Sequence, residues 1–361
     1  MTPRVVIAPD KFKGSLPAKE VADAIAAGLR RARPDVETLE CPIADGGDGT
    51  VAAAVAAGFS FVPAEATGPA GERVRTGYAR RGGTAVVELA AVSGLSMLPE
   101  PAPLTASTLG VGELMAKALD DGCTRIVLGL GGSASTDGGA GLVRGLGARL
   151  LDASGAEIPL GGEALLDLAT VDASGLRRAE VVVASDVDNP LLGEHGAAAV
   201  YGPQKGATPE DVALLDRALA HFASVVGTEF VDAPGAGAAG GTGFAALALL
   251  GATFRPGIDV VLEMTGFADK LPGADLVITG EGSFDEQTLR GKGPAGIAAR
   301  AGGIPVVAMA GRVALDAETL RQHGFSAGYG LTDIEPDVRR CMTDTAALLE
   351  RLAATVAEDW L

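Results

Sequence analysis

The opening of the chain confines it to a narrow set of folds. Val5-Val6-Ile7-Ala8 is a continuous apolar run of strand length, and Val21, Ile25 and Leu29 then recur every four residues, the stripe of a core-facing helix. A strand apolar on both faces needs cover on both sides, which a parallel sheet obtains from its crossover helices. The pattern returns along the chain: residues 36–41 read as a second strand, 49–57 as a second helix, and Leu276-Val277-Ile278 and Pro305-Val306-Val307-Ala308 as further strands. A last helix carries Leu348, Leu349, Leu352 and Val356. Ser15 is placed as the cap of the first helix, with Pro17 in its first turn, where the missing N–H costs nothing. The alternation predicts an α/β fold built on a Rossmann-like doubly wound parallel sheet.

The middle of the chain reads differently. Strands at 85–89, 125–128 and 181–184 are set among long glycine-containing loops, and 361 residues exceed one ordinary core. The expected organisation is a discontinuous Rossmann-like domain, residues 1–62 and 258–361, with a second α/β domain, 63–257, inserted in it. Gly and Pro clusters at 63–71 and 255–257 mark the crossings. Residues 233–254 carry no charge, but their first half is glycine-rich and the strongly apolar part, 244–254, is about half a bilayer span. They read as a glycine loop feeding a buried helix.

Composition removes several function classes. With 46 acidic residues against 29 Lys and Arg, the net charge of −17 opposes association with nucleic acid or anionic membranes. Aromatic residues make up only 4% of the chain, so the core is aliphatic. Cys41, Cys123 and Cys341 are far apart and lack metal-ligand spacing, which suits buried thiols in a reducing compartment. The apolar run that ends at Pro9 is too short for a signal peptide, so a cytoplasmic protein is expected.

The chemistry is concentrated after the strands, where an open α/β sheet binds its ligands. The first strand is followed by Asp10-Lys11-Phe12-Lys13-Gly14-Ser15 and the second by Asp45-Gly46-Gly47-Asp48-Gly49-Thr50. Residues 125–128 lead into a loop with Ser133, Ser135 and Asp137, residues 181–184 into Ser185-Asp186-Val187-Asp188-Asn189-Pro190, and residues 276–279 into Gly280-Glu281-Gly282-Ser283-Phe284-Asp285. One Asp-Gly pair is an ordinary turn. Five such strand ends together are not, because converging carboxylates repel by about 4 kcal/mol per close pair at an effective dielectric of 20 and call for a divalent cation or a ligand. Carboxylates with hydroxyls suit Mg²⁺, and glycine loops offer N–H groups to phosphate oxygens. Lys11, Lys13, Lys205 and Lys292 can offset an anionic substrate. These are the parts of phosphoryl transfer.

Other chemistries are poorly served. His195, His221 and His323 are scattered, which leaves a Ser-His-Asp triad or a histidine metal site little support. There is no P-loop string. Gly129-Leu130-Gly131-Gly132-Ser133-Ala134 matches G-x-G-x-x-A, with Asp152 at a fair distance for a ribose contact, so a dehydrogenase is the rival. Against it, Asp137 and the glycines at 138, 139 and 141 fall where that fingerprint needs a continuous helix.

Taken together, these loops resemble the type I glycerate kinase family of bacteria. The resemblance is carried by Ala8-Pro9-Asp10-Lys11-Phe12-Lys13-Gly14-Ser15, Ala44-Asp45-Gly46-Gly47-Asp48-Gly49-Thr50, the run from Gly131 to Gly139, Asp186-Val187-Asp188-Asn189-Pro190-Leu191, Gly202-Pro203-Gln204-Lys205-Gly206, and Thr279-Gly280-Glu281-Gly282-Ser283-Phe284-Asp285 with Gly291-Lys292. Ser135-Thr136 stands where Thr-Asn is commoner in the family, and the motifs weaken after Lys292. The resemblance implies ATP-dependent phosphorylation of D-glycerate with Mg²⁺, at C2 to give 2-phosphoglycerate, in a cleft of two α/β domains. Phosphorylation at C3, or of a related small hydroxy acid, is the alternative.

Within these loops Asp186, Lys13, Asp45 and Glu281 are expected to be catalytic, with Asp186 as general base because a kinase needs a carboxylate to accept the hydroxyl proton, and Asp186 and Glu281 as metal ligands. Substrate or ATP contacts are expected from Asp10, Lys11, Ser15, Asp48, Gly131, Gly132, Ser133, Asp137, Asn189, Ser283, Asp285 and Lys292. The expected partners are ATP and D-glycerate, without nucleic acid or membrane. Oligomeric state is not legible in the residues, and a homodimer is left open.

Overall fold

The computed structural model describes residues 2–289 and 293–361; Gly291 and Lys292, placed in the site by sequence, lie outside the described residues. The chain forms two compact units, one comprising Met1–Asp45, Ala52–Gly58 and Ile258–Leu361, the other Gly46–Val51 and Phe59–Gly257.

The first unit holds a five-stranded sheet in the order Ala327–Gly330, Val306–Ala310, Leu276–Gly280, Arg4–Pro9, Glu37–Glu40, parallel throughout. Alternate residues explain the layering. Val5, Ile7, Leu276, Ile278, Val307 and Met309 pack with the stripe Val21, Ile25 and Leu29 of the helix Ala18–Ala32 and with Leu349, Leu352 and Val356 of the helix Thr345–Trp360. Val6, Val277 and Ala308, which point the other way, are also fully buried. The two helices approach closely: a Cβ on Gly28 would lie 2.2 Å from the carbonyl oxygen of Glu350.

Chain order runs outward in both directions from Arg4–Pro9, so the order in which strands are added reverses between that strand and Leu276–Gly280. That reversal is where a doubly wound sheet opens a binding crevice.

One local expectation fails here. The first helix begins at Ala18 with Pro17 as its N-cap, and Ser15 does not cap it. The Ser15 hydroxyl instead donates to the Met342 carbonyl at 2.8 Å and pairs with the Thr345 hydroxyl. A serine two residues before the cap position meets the C-terminal helices, which local sequence does not reveal.

The second unit holds a six-stranded sheet in the order Thr253–Arg255, Glu180–Ala184, Arg125–Gly129, Thr84–Glu88, Arg73–Arg81, Ser60–Thr67. The first four are parallel and the last two form an antiparallel edge. Its core includes Val87, Leu128 and Val183 from the strands and Leu114, Phe222 and Phe244 from helices, with the rings of Phe222 and Phe244 edge to face at 5.8 Å. The uncharged segment does feed a buried helix, Ala238–Leu250, through a kink at Ala239, Gly240 and Gly241 in which φ is positive. The helix stops at Leu250, and Phe254 belongs to a strand rather than to the helix expected over 244–254. Gly251, at φ 63°, ends the helix in the left-handed conformation that a side chain rarely adopts.

Candidate active site

In the first unit the acids that follow three neighbouring strands come within electrostatic reach of each other. Asp10 follows Arg4–Pro9, Asp45 lies beyond Glu37–Glu40 and Glu281 follows Leu276–Gly280. The Asp10 side chain is 13% exposed and lies 3.8 Å from the Lys11 ammonium, and one of its oxygens accepts from the Lys11 N–H at 2.6 Å. Burial pushes its pKa from 3.8 up to about 7; the Lys11 charge opposes the rise, while Asp45 and Glu281 add to it. Burial also raises Glu281, against a hydrogen bond from Thr288, with Asp285 and Asp45 adding repulsion. The repulsion expected of converging carboxylates is therefore present for Asp10, Asp45 and Glu281.

Hard oxygen donors beside a flexible lysine suit Mg²⁺, which takes one or two carboxylates and completes its shell with water and phosphate oxygens. Among the described residues no three His, Cys, Asp or Glu side chains form a ready-made metal cage.

Close approach of backbones shapes this end of the sheet. A Cβ on Gly280 would lie 1.6 Å from the Met309 carbonyl oxygen, so only glycine fits where the ends of Leu276–Gly280 and Val306–Ala310 meet. The Gly282 carbonyl accepts from the Arg312 N–H at 3.2 Å. Asp285 folds its own loop by accepting from the Gln287 N–H at 2.9 Å and the Ser283 hydroxyl at 3.3 Å. Beside these loops is a cavity of about 380 Å³ lined by Phe12, Lys13, Ser15, Ser283, Arg312, Val338, Met342 and neighbours.

In the second unit the glycine loops pack on one another. A Cβ on Gly131 would meet the Gly47 Cα at 2.5 Å, and Glu88 accepts from the N–H groups of Gly49 at 3.2 Å and Val51 at 3.1 Å. Gly132, at φ 74°, is exposed, as is Asp48. Asp186 is exposed after Glu180–Ala184, and one of its oxygens accepts from the Gly257 N–H at 3.2 Å. Asn189 is engaged within its own loop, donating to the His195 carbonyl and accepting from the Tyr201 hydroxyl, both at 2.8 Å.

Asp137 corrects a sequence expectation. It has no exposed surface, and its carboxylate accepts from the N–H groups of Thr108, Gly139 and Gly141 and the hydroxyls of Thr108 and Ser107. It organises the loop from inside and has no face for a ligand. Ser133, 7% exposed, accepts from the ammonium of Lys205 at 2.8 Å. That lysine is itself buried, donates also to the Ser135 carbonyl at 2.5 Å, and has its pKa lowered by burial to about 7.

With this geometry in view, comparison with known proteins is decisive. The sequence profile of the Glycerate kinase family matches residues 5–361. The chain belongs to the glycerate kinase family. A Bacillus subtilis (strain 168) protein named glycerate kinase is 45% identical over 98% of this chain and 97% of its own length. Glycerate 2-kinase of Escherichia coli (strain K12) is 42% identical over 98% of each chain. A crystal structure assigned to glycerate kinase 2 of Salmonella typhimurium LT2 superposes with a TM-score of 0.86 at 43% identity, covering 99% of this chain and 98% of that one.

The dehydrogenase rival loses its local support. After the G-x-G-x-x-A string the next helix in this glycerate kinase family chain, Ala140–Gly145, starts beyond buried Asp137. Asp152 is tied into a turn by the N–H groups of Ser154 at 2.8 Å and Ala156 at 3.0 Å. Sequence reading did not single out Arg312 of the cavity lining, although it follows a strand end that the same rule could have marked. Val338 and Met342 carry no local signal, since an apolar residue on a helix reads as core. No helix among the described residues is long and apolar enough to cross a membrane.

Proposed function

We propose that this protein transfers the γ-phosphoryl group of ATP to the C2 hydroxyl of D-glycerate. The observation that carries the reading is the acidic group of Asp10, Asp45 and Glu281 with Lys11 at the reversal of a doubly wound sheet, in a chain of the glycerate kinase family. Phosphoryl transfer needs positioning and charge neutralisation, which carboxylates, lysines and glycine loops supply. The name of the Escherichia coli relative, glycerate 2-kinase, supports C2 as the acceptor.

Lys11, Lys13 and Ser15 would hold anionic oxygens, and Glu281 would hold Mg²⁺ brought with the nucleotide. When bound, the cation offsets charge between phosphate oxygens. Asp186 is one candidate to accept the hydroxyl proton. Asp10 is the other, favoured by a pKa of about 7, since a base works best when its pKa is near the working pH. Cys41, Cys123 and Cys341 are free and buried, which supports a reducing, cytoplasmic setting.

The test is ADP release with D-glycerate and Mg²⁺, abolished by EDTA. Coupling to enolase, pyruvate kinase and lactate dehydrogenase, without phosphoglycerate mutase or added phosphoenolpyruvate, consumes NADH only if the product is 2-phosphoglycerate. A signal that waits for mutase would assign C3, and no ADP at all would overturn the kinase reading.

A further inference from the structure

The cavity in the first unit is too large and too apolar for the acceptor. Glycerate is a three-carbon anion bearing two hydroxyls, every part of which wants a polar partner. The cavity measures about 380 Å³, and its lining includes the apolar Phe12, Val338, Cys341 and Met342. The same lining carries two cations, Lys13 and Arg312.

The position is as informative as the lining. Phe12, Ser283, Arg312 and Thr332 come from the loops that follow four adjacent strands of the five-stranded sheet, Arg4–Pro9, Leu276–Gly280, Val306–Ala310 and Ala327–Gly330. These are the carboxyl ends at which doubly wound sheets hold nucleotides. Val338 and Met342 are 61% and 49% exposed, among the few large apolar side chains of the described residues left in solvent. A methionine thioether adapts to irregular shapes and makes favourable contacts with ring edges. A lining that combines apolar side chains with two cations matches a ligand with a flat heteroaromatic end and an anionic end.

We propose that this cavity seats the purine nucleoside of the phosphate donor, with Val338 and Met342 against the base and Lys13 and Arg312 on the phosphate side. The proposal rests on the kinase reading for its choice of ligand, but its test reads binding separately from turnover. Val338→Trp fills the cavity and Met342→Gln makes its wall polar; neither changes charge, and both positions are exposed enough to leave the fold intact, which melting curves check.

The probes are ADP and inorganic pyrophosphate, titrated calorimetrically with Mg²⁺ present. Each substitution should raise the Kd for ADP at least tenfold while moving that for pyrophosphate less than twofold. In turnover, the KM for ATP should rise in step and the KM for D-glycerate stay within twofold. ADP affinity unchanged in both variants would overturn the nucleoside seat while leaving the kinase reading in place. Conversely, a wild type that binds ADP, loses it in the variants and forms no phosphoglycerate would retain the seat and remove the kinase reading.

Discussion

A carboxyl group raised by burial to a pKa of about 7 makes the stability of the fold depend on pH at Asp10. Its pKa is about 7 in the folded protein against an ordinary 3.8, so between pH 4 and 7 the unfolded chain has lost a proton that the folded chain keeps. The folded state binds more protons in that window, and stability falls as pH rises through it, by up to about 4 kcal/mol at 1.36 kcal/mol per unit. Asp10→Asn should therefore flatten the urea stability profile between pH 4 and 7 and be the more stable form at pH 8. If Asp10 accepts the glycerate proton, the same change lowers kcat by about 10² to 10⁴-fold, and the wild-type rate rises with an apparent pKa near 7. A loss of that size in Asp186→Asn, with Asp10→Asn nearly unaffected, would give the proton to Asp186. At this scale the sequence revealed which acids follow strands, and Asp10, Asp45 and Glu281 were legible for that reason. It did not reveal burial, so Asp137 read as a ligand contact when five donors enclose it.

At the scale of elements, the loop after Arg125–Gly129 is held by two buried titratable side chains, Asp137 and Lys205, that sequence could not rank. Lys205 donates to Ser133 and Ser135 from a site where its pKa is about 7 against an ordinary 10.5. Between those values the unfolded chain binds a proton that the folded chain lacks, so this group makes stability rise with pH from 7 to 10.5. Lys205→Met should remove that rise, measured by urea unfolding at pH 7, 8.5 and 10; a slope equal to the wild type's would mean that the lysine is charged and solvated. The parallel strands were legible because their apolar runs are continuous. The antiparallel edge Ser60–Thr67 and Arg73–Arg81 was not, because Pro63 interrupts the apolar stretch of the first strand and Arg73, Arg75, Arg80 and Arg81 charge the second. Ser15 failed as a cap for a related reason: its partners, Met342 and Thr345, are more than 320 residues away in sequence.

At the scale of the whole molecule, each unit has a core of its own, one built on Val5, Ile7 and Leu349, the other on Val87, Leu128 and Phe244. Separate cores favour separate cooperative transitions, which makes a single free energy of unfolding ill-defined. The chain contains a natural reporter for this. Its one tryptophan, Trp360, ends the last helix of the first unit and donates to the Tyr329 hydroxyl at 3.1 Å, so its fluorescence follows that unit, whereas far-ultraviolet circular dichroism follows both. Two glycines allow each unit to be perturbed alone. Gly28→Val forces a side chain against the Glu350 carbonyl in the first unit, and Gly131→Ala forces one against Gly47 in the second. Overpacking of this kind costs about 1 to 3 kcal/mol. Gly28→Val should lower the urea midpoint seen by Trp360, while Gly131→Ala should lower only a dichroism transition and leave the fluorescence midpoint where it was. Equal shifts of both signals by both substitutions would show that the two cores melt as one, and that a ligand bound to either unit stabilises the whole chain.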